Sequence, residues 1–186
     1  MSRIGKKPIE IPEKVVVEIK DGIIRVRGPK GELSWSYPGG VKVSANGGNI
    51  SVERLGDSKV ERALHGLTRS IISNMITGVS QGYQKVLDIV GVGYKTQVVG
   101  DKLVFALGYS HPIEFQLPEG IKASVDAKQI KITLIVKITL IGIDKQKLGQ
   151  VAASLKALRF PDAYKGKGIR YSGERLKLKV GKAGKK

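Results

Sequence analysis

Polar and apolar residues alternate through "VVVEIKDGIIRVRG", residues 15–28, with Asp21-Gly22 near its centre. A period of two interrupted by a two-residue turn predicts a β-hairpin. A second strand pair is predicted from "VKVS" at 41–44 and "NISVER" at 49–54. The period then lengthens. Ser58 and Glu61 stand at capping-box spacing, and Val60, Ala63, Leu64, Leu67, Ile71 and Met75 recur as one apolar stripe, so a helix follows. His65 falls opposite that stripe and is expected in solvent.

The same order of elements returns later in the chain. A shift of 80 residues aligns Asp21 to Leu55 with the following segment without a gap. Ile23, Ile24 and Val26 fall on Leu103, Val104 and Ala106, and Gly28 on Gly108. "PGGVKVS" from Pro38 falls on "PEGIKAS" from Pro118, and Ile50 and Val52 on Ile130 and Ile132. In the second copy "IKASVDAKQIKITL" supplies the strand pair, and Asp144 caps a helix with Leu148, Val151, Ala152, Leu155 and Leu158 on one face. Past Leu55 the offset grows to about 87, and "KITLI" occurs at 131–135 and again at 137–141. The roughly six added residues, an even count that keeps sheet register, are expected to extend a hairpin edge.

The expected fold class is therefore α+β. It consists of two tandem similar subdomains from an internal duplication, each a mostly antiparallel sheet packed with a helix, plus a basic C-terminal tail. The expected bounds are 1–82, 83–175 (with a basic glycine-rich loop) and 176–186.

Charge changes the picture from scaffold to binder. The chain of 186 residues carries 33 Lys and Arg against 16 Asp and Glu, a formal net charge of +17. Such an excess points to a polyanion, either nucleic acid or an anionic membrane surface. Residues 165–186 hold 9 basic and 1 acidic side chains, nearly half of the excess. Membrane-surface binding needs a basic amphipathic helix, and this tail is glycine-broken, so RNA is favoured and no membrane partner is expected. The absence of cysteine excludes disulfides and thiolate metal sites. "MSRIGKKPIEIPEK" has no apolar h-region, and "IKITLIVKITLIGI" is too short and lysine-interrupted to span a bilayer, so a cytoplasmic protein is expected.

Candidate chemistry is sparse. His65 and His111 lack partners at metal-ligand spacing, and no nucleophile elbow is present, so neither catalysis, metal, cofactor nor small-molecule substrate is expected. "VGVGYK" at 90–95 has Gly91 and Gly93 but not the ending of a phosphate-cradling loop. It is either a bulged strand or a place where backbone approaches an RNA phosphate. "YKGKGIRY" at 164–171 is the strongest candidate. Its glycines are expected to lay the chain flat with open amides, Lys165, Lys167 and Arg170 to supply charge, and Tyr164 and Tyr171 to stack on bases. Beyond it Leu176, Leu178 and Val180 alternate with Lys177 and Lys179, which predicts a short strand with a basic face. Two other classes fit less well. An RNA-acting enzyme would need a buried acid–base pair, and a free RNA-binding module would share this chemistry.

"SRIGKKPI", "GVGYK", "LGYSHP" and "PDAYKGKGIRY" together resemble the L-six family of bacterial large-subunit ribosomal proteins. The resemblance runs over essentially the whole chain, and "PDAYKGKGI" is specific to the family. It implies a structural constituent of the ribosome that binds large-subunit ribosomal RNA near the sarcin–ricin loop and factor-binding region, among neighbouring ribosomal proteins. Carried over residue by residue, the contact stretch is Tyr164, Lys165, Gly166, Lys167, Gly168, Arg170 and Tyr171. Gly91, Gly93, Tyr94 and Lys95, with Tyr109, Ser110 and His111, match the family's other recurrent stretches. Phe160 and Ala163 depart from the usual pattern around the loop, as does the repeated "KITLI".

Overall fold

A computed structural model describes residues 5, 7–130 and 133–181 of the chain. The elements run β1 (Ile9–Glu10), β2 (Val16–Lys20), β3 (Ile23–Gly28), β4 (Gly31–Ser36), β5 (Val41–Asn46), β6 (Asn49–Arg54) and α1 (Lys59–Ser80). They continue with β7 (Tyr83–Val90), β8 (Lys95–Val99), β9 (Lys102–Ala106), β10 (Ile113–Gln116), β11 (Ile121–Ile130), β12 (Thr133–Gly142), α2 (Lys145–Leu158) and β13 (Gly168–Tyr171). Two compact units result: Met1–Tyr83 with Ile143–Lys145, and Gln84–Gly142 with Gln146–Lys186. The fold is α+β, and each unit splits its strands between two small sheets. No helix among the described residues is long and apolar enough to cross a membrane.

In the first unit the sheets have orders β2-β3-β4 and β1-β6-β5, all pairs antiparallel. The β2–β3 turn is Asp21-Gly22 with φ of +49° and +74°, the left-handed pair that a two-residue hairpin demands. Ile24, Val26, Val41, Val43, Ile50 and Val52 send alternate side chains into one core, and α1 closes it. The capping box forms as expected. The Glu61 amide donates to Ser58 Oγ at 3.2 Å, and the Ser58 amide to Glu61 Oε2 at 3.1 Å.

The face that α1 buries only overlaps the expected stripe. His65, Thr68, Ile72, Met75, Ile76 and Val79 are buried, and Leu64 and Ile71 pack half-buried against the core, while Val60 and Leu67 are 66% and 48% exposed. His65 is 4% exposed, and its Nε2 donates to the Val52 carbonyl at 2.8 Å, so one of its two ring nitrogens is satisfied inside the core. The helix is rotated by about one position from a purely apolar reading.

The second unit has sheets β10-β9-β8 and β11-β12-β7-β13, with α2 burying Leu148, Val151, Ala152 and Leu155 as the spacing predicted. The duplication is real but its offset is not uniform. The turn Gly100-Asp101 sits 79 residues after Asp21-Gly22, so Ile24 and Val26 correspond to the buried Leu103 and Phe105, not to Val104 and Ala106. A one-residue slip would have turned the wrong face inward. The missing residue reappears between β9 and β10. Copy one keeps pairing to Gly28 and Gly31, whereas in copy two the β9–β10 pairing stops at Phe105 and Ile113 and a loop opens after Ala106, the end of β9.

The hairpin edge is extended, by eight residues instead of six. Ile121 lies 80 residues beyond Val41, but its partner Gly142 lies 88 beyond Arg54, which adds four residues to each arm. Lys131 and Ile132, within the first "KITLI", lie outside the described residues.

Residues 174–181 form no strand, contrary to the alternation of leucines and lysines. The lysine-rich end, 182–186, lies outside the described residues.

The placement of α1 is open to a direct check. Ile72→Ala should cost about 3 kcal/mol in urea unfolding because it empties a fully buried site. Leu67→Ala should change stability by less than about 0.5 kcal/mol. The reverse order would restore the apolar stripe as the packed face.

Candidate nucleic-acid interface

α2 delivers the chain to the candidate loop, and β13 takes it away. The Ile169 amide donates to the Arg159 carbonyl at 2.8 Å, closing residues 160–168 at their base. β13 pairs antiparallel with β7, from Gly168 opposite Val90 to Tyr171 opposite Leu87, and Ile169 is fully buried. Gly168 is compelled by this closure. Its φ is +146°, and a Cβ there would lie 2.6 Å from the Phe160 carbonyl oxygen.

Inside the loop the amides are not open. Asp162 Oδ2 accepts from the Tyr164 amide at 3.2 Å and from the Lys165 amide at 2.8 Å. The Gly166 amide donates to the Asp162 carbonyl at 3.0 Å, and the Asp162 amide to the Lys167 carbonyl at 2.9 Å. The Lys165 amide, chiefly, with those of Tyr164 and Ala163, holds the Asp162 carboxyl below its ordinary pKa. The flat, amide-exposing loop expected from its glycines is instead a compact turn. Gly166, at φ +66°, is buried within it.

What the turn presents are side chains. Tyr164 is 57% exposed and Lys165 is exposed beside it, while Lys167 and Arg170 are half-buried. Phe160, 66% exposed, and Arg159 extend this face. The Arg159 guanidinium lies 4.9 Å from the centre of the Tyr109 ring, and the Tyr109 hydroxyl donates to the Leu158 carbonyl at 3.0 Å. That joins the β9–β10 loop, with exposed Ser110 and His111, to the end of α2. Tyr109 packs on Arg159, and Phe160, Tyr164 and Lys165 follow on the adjoining loop, an aromatic and basic ridge in order along the chain. Arg159 and Phe160 were missing from the sequence-derived set. Their signal was position alone, between a helix end and the glycine that must pass close by.

Other candidates are placed differently. Tyr94 is buried, its ring lying against Gly91, where a Cβ would be 2.6 Å away. Gly91 to Tyr94 is a tight turn between β7 and β8. The Tyr94 amide meets the Gly91 carbonyl at 3.3 Å, and Gly93 has a φ of +81°. That is a turn and not a bulged strand, and from this stretch Val92, Gly93 and Lys95 reach the surface. Tyr171 is engaged too. The ammonium groups of Lys85 and Lys156 lie 5.3 and 4.9 Å from its ring centre, and Lys156 Nζ bonds both Glu174 oxygens, at 2.6 and 2.8 Å. Lys177 and Lys179 are exposed along a tail tied to the loop, since the Lys179 amide donates to the Ala163 carbonyl at 2.8 Å. Among the described residues no three His, Asp or Glu side chains gather to hold a metal ion.

Comparison with known proteins matches this architecture twice over. The family described as Ribosomal protein L6 matches residues 11–82 and again residues 90–172. Large ribosomal subunit protein uL6 of Thermodesulfovibrio yellowstonii is 58% identical over 186 residues, 100% of both chains. The proteins of that name from Koribacter versatilis and Syntrophomonas wolfei subsp. wolfei are 52% and 50% identical, again over 100% of both.

Glu174 provides a test of how the loop's base is held. Its carboxyl is held below the ordinary value of 4.5, first by Lys156 and then by the Tyr171 amide. A depressed pKa means these contacts stabilise the fold fully above that ordinary value and fade as pH falls through the depressed one. Lys156→Ala should raise the Glu174 titration midpoint, followed through the Tyr171 amide by NMR. An unmoved midpoint would remove Lys156 as the dominant cause.

Proposed function

The chain belongs to the ribosomal protein L6 family, and from that premise we propose how it grips its partner. It is a structural constituent of the large ribosomal subunit in the cytoplasm, a ribosomal RNA-binding protein and not an enzyme. Our reading is that the second unit meets RNA through the ridge of Tyr109, Arg159, Phe160, Tyr164 and Lys165. Lys167, Arg170, Lys177 and Lys179 supply flanking charge. The observation that carries it is the exposure of Phe160, Tyr164 and Lys165 on a loop closed at its base by Ile169 and Arg159, with the exposed Tyr109 ring against Arg159.

Such a surface suits RNA whose bases are splayed from a helix. Rings and guanidinium planes stack on unpaired bases, while ammonium groups meet phosphates. On the resemblance of the motifs, we place that RNA near the sarcin–ricin loop beside the factor-binding region. Neighbouring ribosomal proteins complete the environment. The backbone amides of residues 164–166 are already taken, so phosphates are met by side chains alone.

Deleting the loop is a poor test, because ending the chain at Ala163 removes β13 and the buried Ile169 from the core. Charge substitution is cleaner. Lys165→Ala with Lys167→Ala should weaken binding to purified large-subunit ribosomal RNA about tenfold and flatten the salt slope by about 1–2 units. Hydroxyl-radical protection should fall on the sarcin–ricin region. Unchanged affinity and slope would sink the ridge as the interface, and protection elsewhere would sink the location.

A further inference from the structure

The basic loop contains one acid, and its sign is wrong for a partner made of phosphates. Asp162 is exposed beside Tyr164 and Lys165, so by charge alone it weakens the attraction of the ridge for RNA. Its contacts explain its presence. One carboxylate oxygen takes the amides of Tyr164 and Lys165, and the residue's own carbonyl and amide are bonded to Gly166 and Lys167. Four hydrogen bonds from one residue thus shape the five that follow. The side-chain pair forms a turn of the kind that Asp and Asn build with amides just ahead of them.

We propose that Asp162 is a positioning residue for RNA binding, a clamp that draws in the amides beneath Tyr164 and Lys165 so that both side chains stand outward. The inference rests on the interface reading above. Without the clamp these amides turn to water and the loop samples many shapes. The ring of Tyr164 and the ammonium of Lys165 must then be ordered at the moment of binding, which lowers affinity. Leu176 backs the turn, coming within 3.4 Å of where a Cβ on Gly166 would sit, but it makes none of these hydrogen bonds.

Opposite signs make the test decisive. If Asp162 matters only as a charge, Asp162→Ala and Asp162→Asn both bind large-subunit RNA more tightly than the parent. If it is a clamp, Asp162→Ala binds about tenfold more weakly, whereas Asp162→Asn, which keeps an oxygen acceptor, stays within about twofold. The urea midpoint of both variants should match the parent, because the residue lies outside the core. A spectroscopic signature accompanies the loss. In the parent the Lys165 amide resonance should follow a carboxyl titrating below the ordinary 3.8, and in Asp162→Ala that titration should vanish. Equal or tighter binding by Asp162→Ala overturns the proposal, and so does an Asp162→Asn as weak as Asp162→Ala. If the Lys165 and Lys167 double variant loses binding while Asp162→Ala does not, the clamp falls and the interface stands. If neither loses binding, both fall.

Discussion

One backbone hydrogen bond, from the Ile169 amide to the Arg159 carbonyl, sets the geometry of the whole candidate interface. It brings the end of α2 against the start of β13, so that a helix packed by Leu155 and a strand packed by Ile169 hold the two feet of one loop. The approach is close enough that residue 168 must be glycine. Burial of Ile169 and Leu155 is worth several kcal/mol by area, and that stabilisation is what lets an exposed nine-residue loop keep a single shape. Binding strength on the surface thus depends on packing in the core.

The duplication illustrates how one plan yields two uses. In the first copy the β3–β4 hairpin pairs down to Gly28 and Gly31 and leaves only a tight turn. In the second, one additional residue ends the pairing at Phe105 and Ile113, and the freed segment presents Tyr109, Ser110 and His111. In this sheet Leu103 and Phe105 fill the places of Ile24 and Val26, and β8-β9-β10 keeps the order of β2-β3-β4. Loops absorb such insertions cheaply because lengthening a loop costs little closure entropy. The altered hairpin lies beside the end of α2 through Tyr109 and Leu158, so the change enlarges an existing surface.

Much of this was legible in the sequence, and the failures share a cause. Turns, capping box, repeat and α2 face are local signals, and they hold because Asp21-Gly22 or Ser58 with Glu61 act within a few residues. The buried face of α1 was misread because His65 finds its acceptor in Val52, 13 residues away, and no periodicity carries that information. The slip between offsets of 79 and 80 arose because matching Asp21 to Asp101 by identity ignores which side of the turn each occupies. Tyr171 looked like a twin of Tyr164, yet β13 places it under Lys85 and Lys156. The alternation of Leu176, Leu178 and Val180 suggested a strand, but beyond the single bond from Lys179 to Ala163 that segment has no described ladder to join.

The distribution of acids completes the physical picture. From Phe160 to the end of the chain, Asp162 and Glu174 are the two acidic residues amid 9 basic ones. Among so many cations, an exposed carboxylate would ordinarily be a screened surface charge worth little. Both are instead bonded to backbone amides, and both have depressed pKa values for that reason among others. Glu174 holds Lys156 and the Tyr171 amide, which fixes the strand leaving the loop; Asp162 holds the amides within the loop itself. Lys165, Lys177 and Lys179 remain exposed. Both acids thus hold the shape of the loop and of the strand that leaves it, while each also offsets some of the surrounding positive charge.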